Sequence, residues 1–145
     1  MPVNGMNTGV DYALFYFDGA SGTLVDLGDV QNVKIVALKH DIKSQPYNRQ
    51  PRYGFVPDGF KIDFSITRTG SALEDFMVAA AAAFNAGSVQ KPGYLQQTTT
   101  NPDGSVSRYQ YTEMVIFLTD HGEISRDRPV TLTLEGMASD KVSIT

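Results

Sequence analysis

Alternation of apolar and polar residues is the strongest pattern in the sequence. In residues 60–68, Phe, Ile, Phe and Ile alternate with Lys, Asp, Ser and Thr, a period of two that predicts a strand with one buried and one wet face. The aromatic-rich run 12–17 and the apolar runs 23–27 and 32–39 are bounded by turn residues, so each predicts a further strand. The first half of the chain is therefore predicted to be β-rich.

The last third of the chain also predicts β-structure. Residues 93–100 and 105–119 flank Asn-Pro-Asp-Gly at 101–104, a turn sequence in which each residue favours chain reversal, so we expect a long hairpin. Residues 129–134 alternate again and predict a final strand. Alternation is lost at 114–118, where both faces of the strand are apolar and inward positions cannot be assigned.

One helix is predicted at residues 71–86. Ser71 and Glu74 have the S-x-x-E spacing of a capping box, and Gly87 stands where a C-terminal cap is expected. Helical spacing predicts an apolar stripe that packs on the sheet. Its members are Leu73, Phe76, Met77 and Phe84.

Residues 41–59 fit neither pattern and are predicted to form an extended loop. A structureless connection of this length inside a domain is usually functional or disordered. Its aromatic and arginine residues are of the types enriched in protein interfaces. The loop either folds back on its own domain or reaches a partner, and we favour the partner-binding arm. The residues concerned are Tyr47, Arg49, Arg52, Tyr53 and Phe55.

Composition indicates one domain and offers little chemistry. The chain has 145 residues and is 41% apolar. Its net charge of −4 argues against binding to nucleic acid, which requires clustered positive charge. Without cysteine there is no disulfide or thiolate site. His121 lies between Asp120 and Glu123, a pattern that suggests a metal or acid–base site but is more typical of a polar turn. We expect no enzyme activity, no cofactor, no metal, no export signal and no membrane insertion by this chain.

The order of the predicted elements resembles the tail tube proteins of tailed bacteriophages. The resemblance is carried by D-Y-A-L-F-Y-F-D-G at 11–19, L-V-D-L-G-D-V-Q-N-V at 24–33 and G-F-K-I-D-F-S-I-T-R at 59–68, followed by S-A-L-E-D-F-M at 71–77. It covers nearly the whole chain, 1–145, as a single tail-tube domain. Two-faced strands with one helix also leave sheet edges that neighbouring copies would close.

The resemblance implies a mainly β subunit, a β-sandwich or barrel with one flanking helix, whose strands contribute to a ring-wide inner β-barrel. Six copies would form a ring, and stacked rings would form a hollow channel for genome delivery. The loop 41–59 would be the arm that reaches the adjacent ring. The wet strand faces would line the lumen. These candidate lumen-facing residues are Lys61, Asp63, Ser65, Thr67, Thr131, Thr133 and Glu135.

The resemblance also implies the partners and the location. The chain would bind other copies of itself, and sheath, tape-measure, baseplate or terminator proteins, in a virion tail made in the host cytoplasm. DNA would pass through the lumen without specific binding, and with Glu113 and Glu135 added the lumen face would be weakly acidic. Six copies would carry a charge of about −24. The alternatives are a tube protein of the type VI secretion kind or a small ligand-binding β-barrel.

Overall fold

The computed structural model describes residues 4–19, 22–25, 27, 29–89 and 91–144. After a short 3-10 turn at Gly9–Asp11, these described residues form eight strands and one helix. In chain order these are β1 (Tyr12–Phe17), β2 (Leu24–Val25), β3 (Asp29–Ser44), β4 (Arg52–Thr67), α1 (Ala72–Asn85), β5 (Gly93–Thr100), β6 (Val106–Asp120), β7 (Thr131–Ala138) and β8 (Asp140–Ser143). The protein is mainly β with one flanking helix, as predicted.

All strand pairs are antiparallel and follow the order β2-β1-β5-β6-β7-β4-β3, with β8 pairing separately with β6. Strand β6 belongs to two parts of this arrangement. Its first half pairs with β5 and β8, and its second half, from Val115 onward, pairs with β7. We call β2, β1, β5, β8 and the first half of β6 the first sheet. The second sheet consists of the second half of β6 with β7, β4 and β3.

A bulge turns β6 from one sheet to the other. Glu113 has a φ of 50°, and the register with β5 slips between the Leu95–Tyr111 and Gly93–Met114 pairs. An extra residue in one strand of a pair bends that strand and increases its twist. The Glu113 carboxylate also accepts a hydrogen bond from the Ser139 hydroxyl at 3.2 Å, which ties the bend to the start of β8.

The core lies between the two sheets. Ile62, Phe64 and Ile66 of β4 are at most 2% exposed, which confirms the face assigned from alternation. They form one hydrophobic cluster with residues of the first sheet such as Tyr111, whose ring meets that of Phe60 edge-on with centroids 5.5 Å apart. The alternation therefore directs one side of each sheet into a shared interior, as the sandwich prediction required.

The predicted loop 41–59 is wrong as a structural assignment. Strands β3 and β4 form one long hairpin that runs from Asp29–Thr67 to Ser44–Arg52, so only residues 45–51 connect them. Cross-strand pairing continues from Lys39–Pro57 to Ser44–Arg52, so this segment is extended strand and not loop. Because nearly all side chains of its outer part are exposed, that part carries no buried alternating face from which a strand could be predicted.

The predicted position of the helix is nearly right, but the predicted capping box at its N-terminus is wrong. The Ser71 side chain makes no capping bond to the backbone and instead lies 3.1 Å from the Asp75 carboxylate. Glu74 accepts a hydrogen bond from Arg68 at 2.7 Å, and this guanidinium holds the pKa of the Glu74 carboxyl below its usual range. The C-terminus is as predicted: Gly87 has a φ of 79° within the hydrogen-bond pattern of a Schellman motif.

The helix packs on the sheets through its first half alone. Leu73 is 3% exposed, and Phe76 and Met77 are half-buried, with the Phe76 ring 6.2 Å from that of Tyr16. Phe84 is 77% exposed, so its predicted packing on the sheet is wrong. In the second half of the helix an open space separates α1 from β6.

Candidate assembly surfaces

The β3–β4 hairpin extends beyond the rest of the second sheet. Strand β7 pairs with β4 only from Phe60 onward, and no other described strand pairs with residues 39–57. We call this segment, 39–57, the hairpin arm. At ~3.4 Å per residue, the paired positions from Lys39 to Ser44 give the arm a reach of about 20 Å.

A tight turn closes the tip of the arm. The Arg49 amide donates to the Pro46 carbonyl at 3.4 Å, and Asn48 has a φ of 67°. A positive φ at the third residue of a four-residue turn is the geometry of a type II turn, and asparagine tolerates it well. This places Tyr47 at the extreme end of the arm, where it is 92% exposed.

All five residues predicted for the arm lie within it and are exposed. Tyr53 and Phe55 are on one face, 74% and 65% exposed, because alternate residues of a strand share a face. Lys43 and Lys39 lie over these two rings, 5.7 and 5.6 Å from the centroids, in cation–π contacts. Because these aromatic rings are exposed and contact lysines of the same arm, they form a surface suited to a partner with both apolar and acidic groups.

The arm also differs in charge from the rest of the chain. Residues 39–57 contain four basic residues, Lys39, Lys43, Arg49 and Arg52, and one acidic residue, Asp41, which gives the arm a net charge of +3. Because the whole chain carries −4, the remainder carries −7. A basic arm on an acidic body favours contact between the arm of one copy and the body of another.

The seven predicted lumen-facing residues share one face of the second sheet. The register pairs Asp63 with Glu135 and Ser65 with Thr133, and Lys61 reaches Glu135 at 3.6 Å. Each of these residues alternates with a buried core residue of β4 or β7. The seven predicted residues on this face are Lys61, Asp63, Ser65, Thr67, Thr131, Thr133 and Glu135.

Charges near the centre of this face balance, so the weakly acidic lumen expected from the sequence does not follow from the geometry. Lys34 of β3 lies beside Asp63, which adds a second positive charge to the two carboxylates Asp63 and Glu135 and to Lys61. Glu113 is not on this face: it lies at the bend of β6. Lys34 could not be selected from the sequence, because Asp63, its neighbour in space, is 29 positions away along the chain.

The same face contains apolar side chains that sequence reasoning missed. Phe117 of β6 pairs with Glu135 and is 68% exposed, and Met137 of β7 pairs with Lys61 and is 46% exposed. In β6 the loss of alternation at 114–118 concealed this, since Ile116 and Leu118 are buried and Phe117 is not. The strand does alternate, with apolar residues on both sides.

The second sheet has two unpaired edges among the described residues. Strand β3 has β4 on one side and no described strand on the other. The second half of β6 has β7 on one side, while β5 stops pairing at Met114. Free strand edges present unpaired amide and carbonyl groups that another chain can pair with.

An open cleft of about 710 Å³ lies between α1 and the second half of β6. We call it the helix–strand cleft. Its walls include Phe76, Met77, Ala80 and Phe84 on the helix side and residues 115–118 on the strand side. The cleft is mostly apolar and has a free strand edge along one wall.

The pattern around His121 forms a turn. The Asp120 side chain accepts a hydrogen bond from the Gly122 amide at 2.8 Å, and Gly122 has a φ of 79°. Across the part of the chain that the structure describes, no three His, Cys, Asp or Glu side chains group as metal ligands. The described residues also contain no helix long and apolar enough to cross a membrane.

No protein-family model matches the chain, and no curated protein sequence matches it. Three solved structures of contractile injection machines contain chains of the same fold. A chain of the anti-feeding prophage tube-terminating cap superposes with a TM-score of 0.68 at 10% identity, over 100% of this chain and 95% of that one. A chain of the sheath-tube complex of the PVC extracellular contractile injection system, in its extended state, gives 0.67 at 8%, over 97% and 93%. A chain of the anti-feeding prophage baseplate gives 0.60 at 8%, over 99% and 97%.

Proposed function

We propose that the protein is a structural subunit of a tail or injection tube, which assembles into rings that stack into a hollow channel. The observation that carries this is the pair of free edges on the second sheet, at β3 and at the second half of β6. The solved structures that share the fold are of assemblies described as a baseplate, a tube-terminating cap and a sheath-tube complex.

Strand direction makes the two edges compatible. Each strand of the second sheet is antiparallel to its neighbour, and the sheet has four strands, so β3 and β6 run in opposite directions. When copies are related by rotation about a ring axis, every β6 points the same way along that axis. The β3 edge of one copy therefore meets the β6 edge of the next in an antiparallel pair, and the sheet continues without a change of pattern.

Such a ring would enclose a channel of useful width. Six copies would supply about 24 strands, and at a spacing of ~4.8 Å the backbone ring would be about 37 Å across before strand tilt widens it. The side chains lining it would be the seven predicted residues together with Lys34, Phe117 and Met137. With balanced charge near its centre, this face offers a passing cargo no cluster of one sign to bind.

The hairpin arm would connect one ring to the next. It projects beyond the second sheet by about 20 Å, carries a net charge of +3, and exposes Tyr47, Tyr53 and Phe55. Removing a central aromatic residue from an interface commonly costs ~2 kcal/mol or more. Arg49 and Arg52 would act mainly on partner choice and on the rate of association.

We also propose partners, a location and a cargo for the protein. The partners would be other copies of the chain and the proteins around a tube, such as sheath, tape-measure, baseplate or terminator proteins. The location would be a virion tail or a related injection particle assembled from protein made in the cytoplasm, and the role would be structural, without catalysis. The cargo would be DNA in a phage tail or protein in a secretion-type machine.

A second candidate is a tube-like protein that forms a single ring at the end of a tube. It is favoured by the similarity to the baseplate and cap chains, which is comparable with the similarity to the sheath-tube chain. A terminal ring would use its sheet edges but would not stack on further copies of itself.

Electron microscopy of the purified protein over a range of concentrations, with light scattering after size exclusion, tests both candidates. We expect rings that stack into tubes for the wild type. The double variant Tyr53→Ala, Phe55→Ala should keep its circular dichroism spectrum and form rings without long tubes. Isolated wild-type rings at every concentration would favour the terminal-ring candidate. A monomer at every concentration would overturn the proposal.

A further inference from the structure

We propose that the helix–strand cleft is the receiving site for strand β3 of a second copy, and that α1 packs over the strand as a clamp. This inference rests on the proposed function, because it requires the β3 and β6 edges to meet. It adds two points that edge pairing alone does not specify: α1 covers the incoming strand, and the cleft binds apolar side chains of that strand.

The cleft has the features that a β-strand requires. One wall is the free edge of β6 at 115–118, which supplies amide and carbonyl groups for a new strand. The opposite wall is apolar and is built partly from alanines, whose small side chains leave space. A strand entering there satisfies both walls at once, through main-chain hydrogen bonds on one side and alternate side chains on the other.

Strand β3 offers the matching side chains. Val33 and Ile35 lie on its core-facing side, half-buried at the outer edge of their own subunit, while Lys34 and Val36 face the opposite way. The helix lies on the same side of the second sheet as the core, since Leu73 is buried in the core cluster and Phe76 contacts the buried Tyr16.

Continuity of the sheet then determines which side chains of one copy contact the helix of the next. When β3 of one copy continues the sheet of the next, its core-facing side stays on the core side. Val33 and Ile35 therefore point toward α1 of the neighbour, where Phe76, Met77 and Ala80 stand. The same step covers part of Phe84, an aromatic side chain that is 77% exposed in the single chain.

Filling the cleft is the first test. Ala80→Trp places a large ring in the cleft, whereas Val78→Trp places the same ring on a helix position that is 69% exposed and does not line the cleft. We expect both variants to keep the wild-type circular dichroism spectrum. Ala80→Trp should reduce the ring fraction at least tenfold at a fixed concentration, and Val78→Trp should leave it unchanged.

A cross-link between copies is the second test, and the absence of cysteine from the chain makes it clean. An Ala80→Cys protein is mixed with a size-tagged Ile35→Cys protein and oxidised. The mixed disulfide dimer can form only between copies. Lys34→Cys replaces Ile35→Cys in the control, because residue 34 faces away from α1. We expect mixed dimers with position 35 and at least fivefold fewer with position 34.

The outcomes separate the two proposals. If wild-type rings form while Ala80→Trp also forms rings and positions 80 and 35 do not cross-link, the clamp is overturned and the tube function stands. Equal cross-linking at positions 34 and 35 would also overturn the clamp. If the wild type forms no rings, the tube function fails, and the clamp fails with it.

Discussion

Truncating the apolar side chains of α1 one at a time should give stability losses that follow their burial. Leu73 is 3% exposed within the core cluster, so Leu73→Ala removes a fully buried side chain and leaves a cavity, at a cost of about 2–4 kcal/mol. Phe84 is 77% exposed, so Phe84→Ala should change the free energy of unfolding by less than ~0.5 kcal/mol.

Phe76 lies between these limits. As a fully buried aromatic residue it would cost about 3–5 kcal/mol on truncation, which is what the helical spacing alone predicts. The ring is half-buried and makes one edge-on contact with Tyr16 at 6.2 Å. A partial loss of buried area together with one aromatic contact gives about 1–2 kcal/mol for Phe76→Ala.

Urea unfolding of the monomeric fraction, followed by circular dichroism, measures the three variants. The order of cost should be Leu73→Ala, then Phe76→Ala, then Phe84→Ala, with unchanged m-values. The assay is run at low concentration, because ring formation would add stability by mass action and would hide the comparison. A loss above 2 kcal/mol for Phe84→Ala, or no loss for Leu73→Ala, would show that the helix packs on a different face.

Three further predictions concern buried or strained positions. Burial, with a contribution from the charge of Asp18, raises the pKa of Tyr16 to about 12. The contribution of the Tyr16 phenol to the free energy of unfolding is therefore complete below pH 10 and is lost as the pH rises toward 12. In a titration followed by ultraviolet absorbance, one phenol should ionise late in the wild type, and this late step should be absent in Tyr16→Phe. Glu113→Val should cost about 1–2 kcal/mol in urea unfolding because φ is 50°, whereas Glu113→Gly should cost less than that. Gly93→Val should destabilise the fold by ~2 kcal/mol or more in the same assay, because a Cβ there overlaps the backbone carbonyl oxygen of Phe17 in the neighbouring strand.

The parts of the fold that could be predicted are those in which local sequence and burial agree. Strand β4 from Phe60 onward alternates because one side faces the core, so its inward face could be read directly. The 101–104 turn was predictable because its side chains act locally: Asp103 accepts from the Ser105 amide at 3.0 Å, and Gly104 has a φ of 90°. In both cases the interactions that decide the structure lie within a few residues.

The parts that could not be predicted depend on distant partners or on their absence. The S-x-x-E motif at 71–74 failed as a capping box because Arg68, outside the motif, takes the Glu74 carboxylate. Phe84 obeys helical spacing but lies where the helix has left the sheet, a fact of tertiary packing. Strand β8 was missed because four exposed residues at 140–143 carry no hydrophobic pattern.

Strand β4 shows why assembly variants should be separable from folding variants. Along its inner half, one set of alternate residues forms the core, and the other set forms the proposed channel face. Its outer half, residues 52–57, contributes only to the arm and pairs only with β3.

The arm has no described strand neighbour beyond its own hairpin, so changes in it remove little buried area, and changes in its length alter reach by ~3.4 Å per residue pair. If the arm joins rings, ring spacing is therefore set by a segment that the core does not constrain. Deleting one cross-strand pair next to the 45–51 turn, that is, one residue from each strand, shortens the arm. This deletion should leave folding intact while weakening ring stacking.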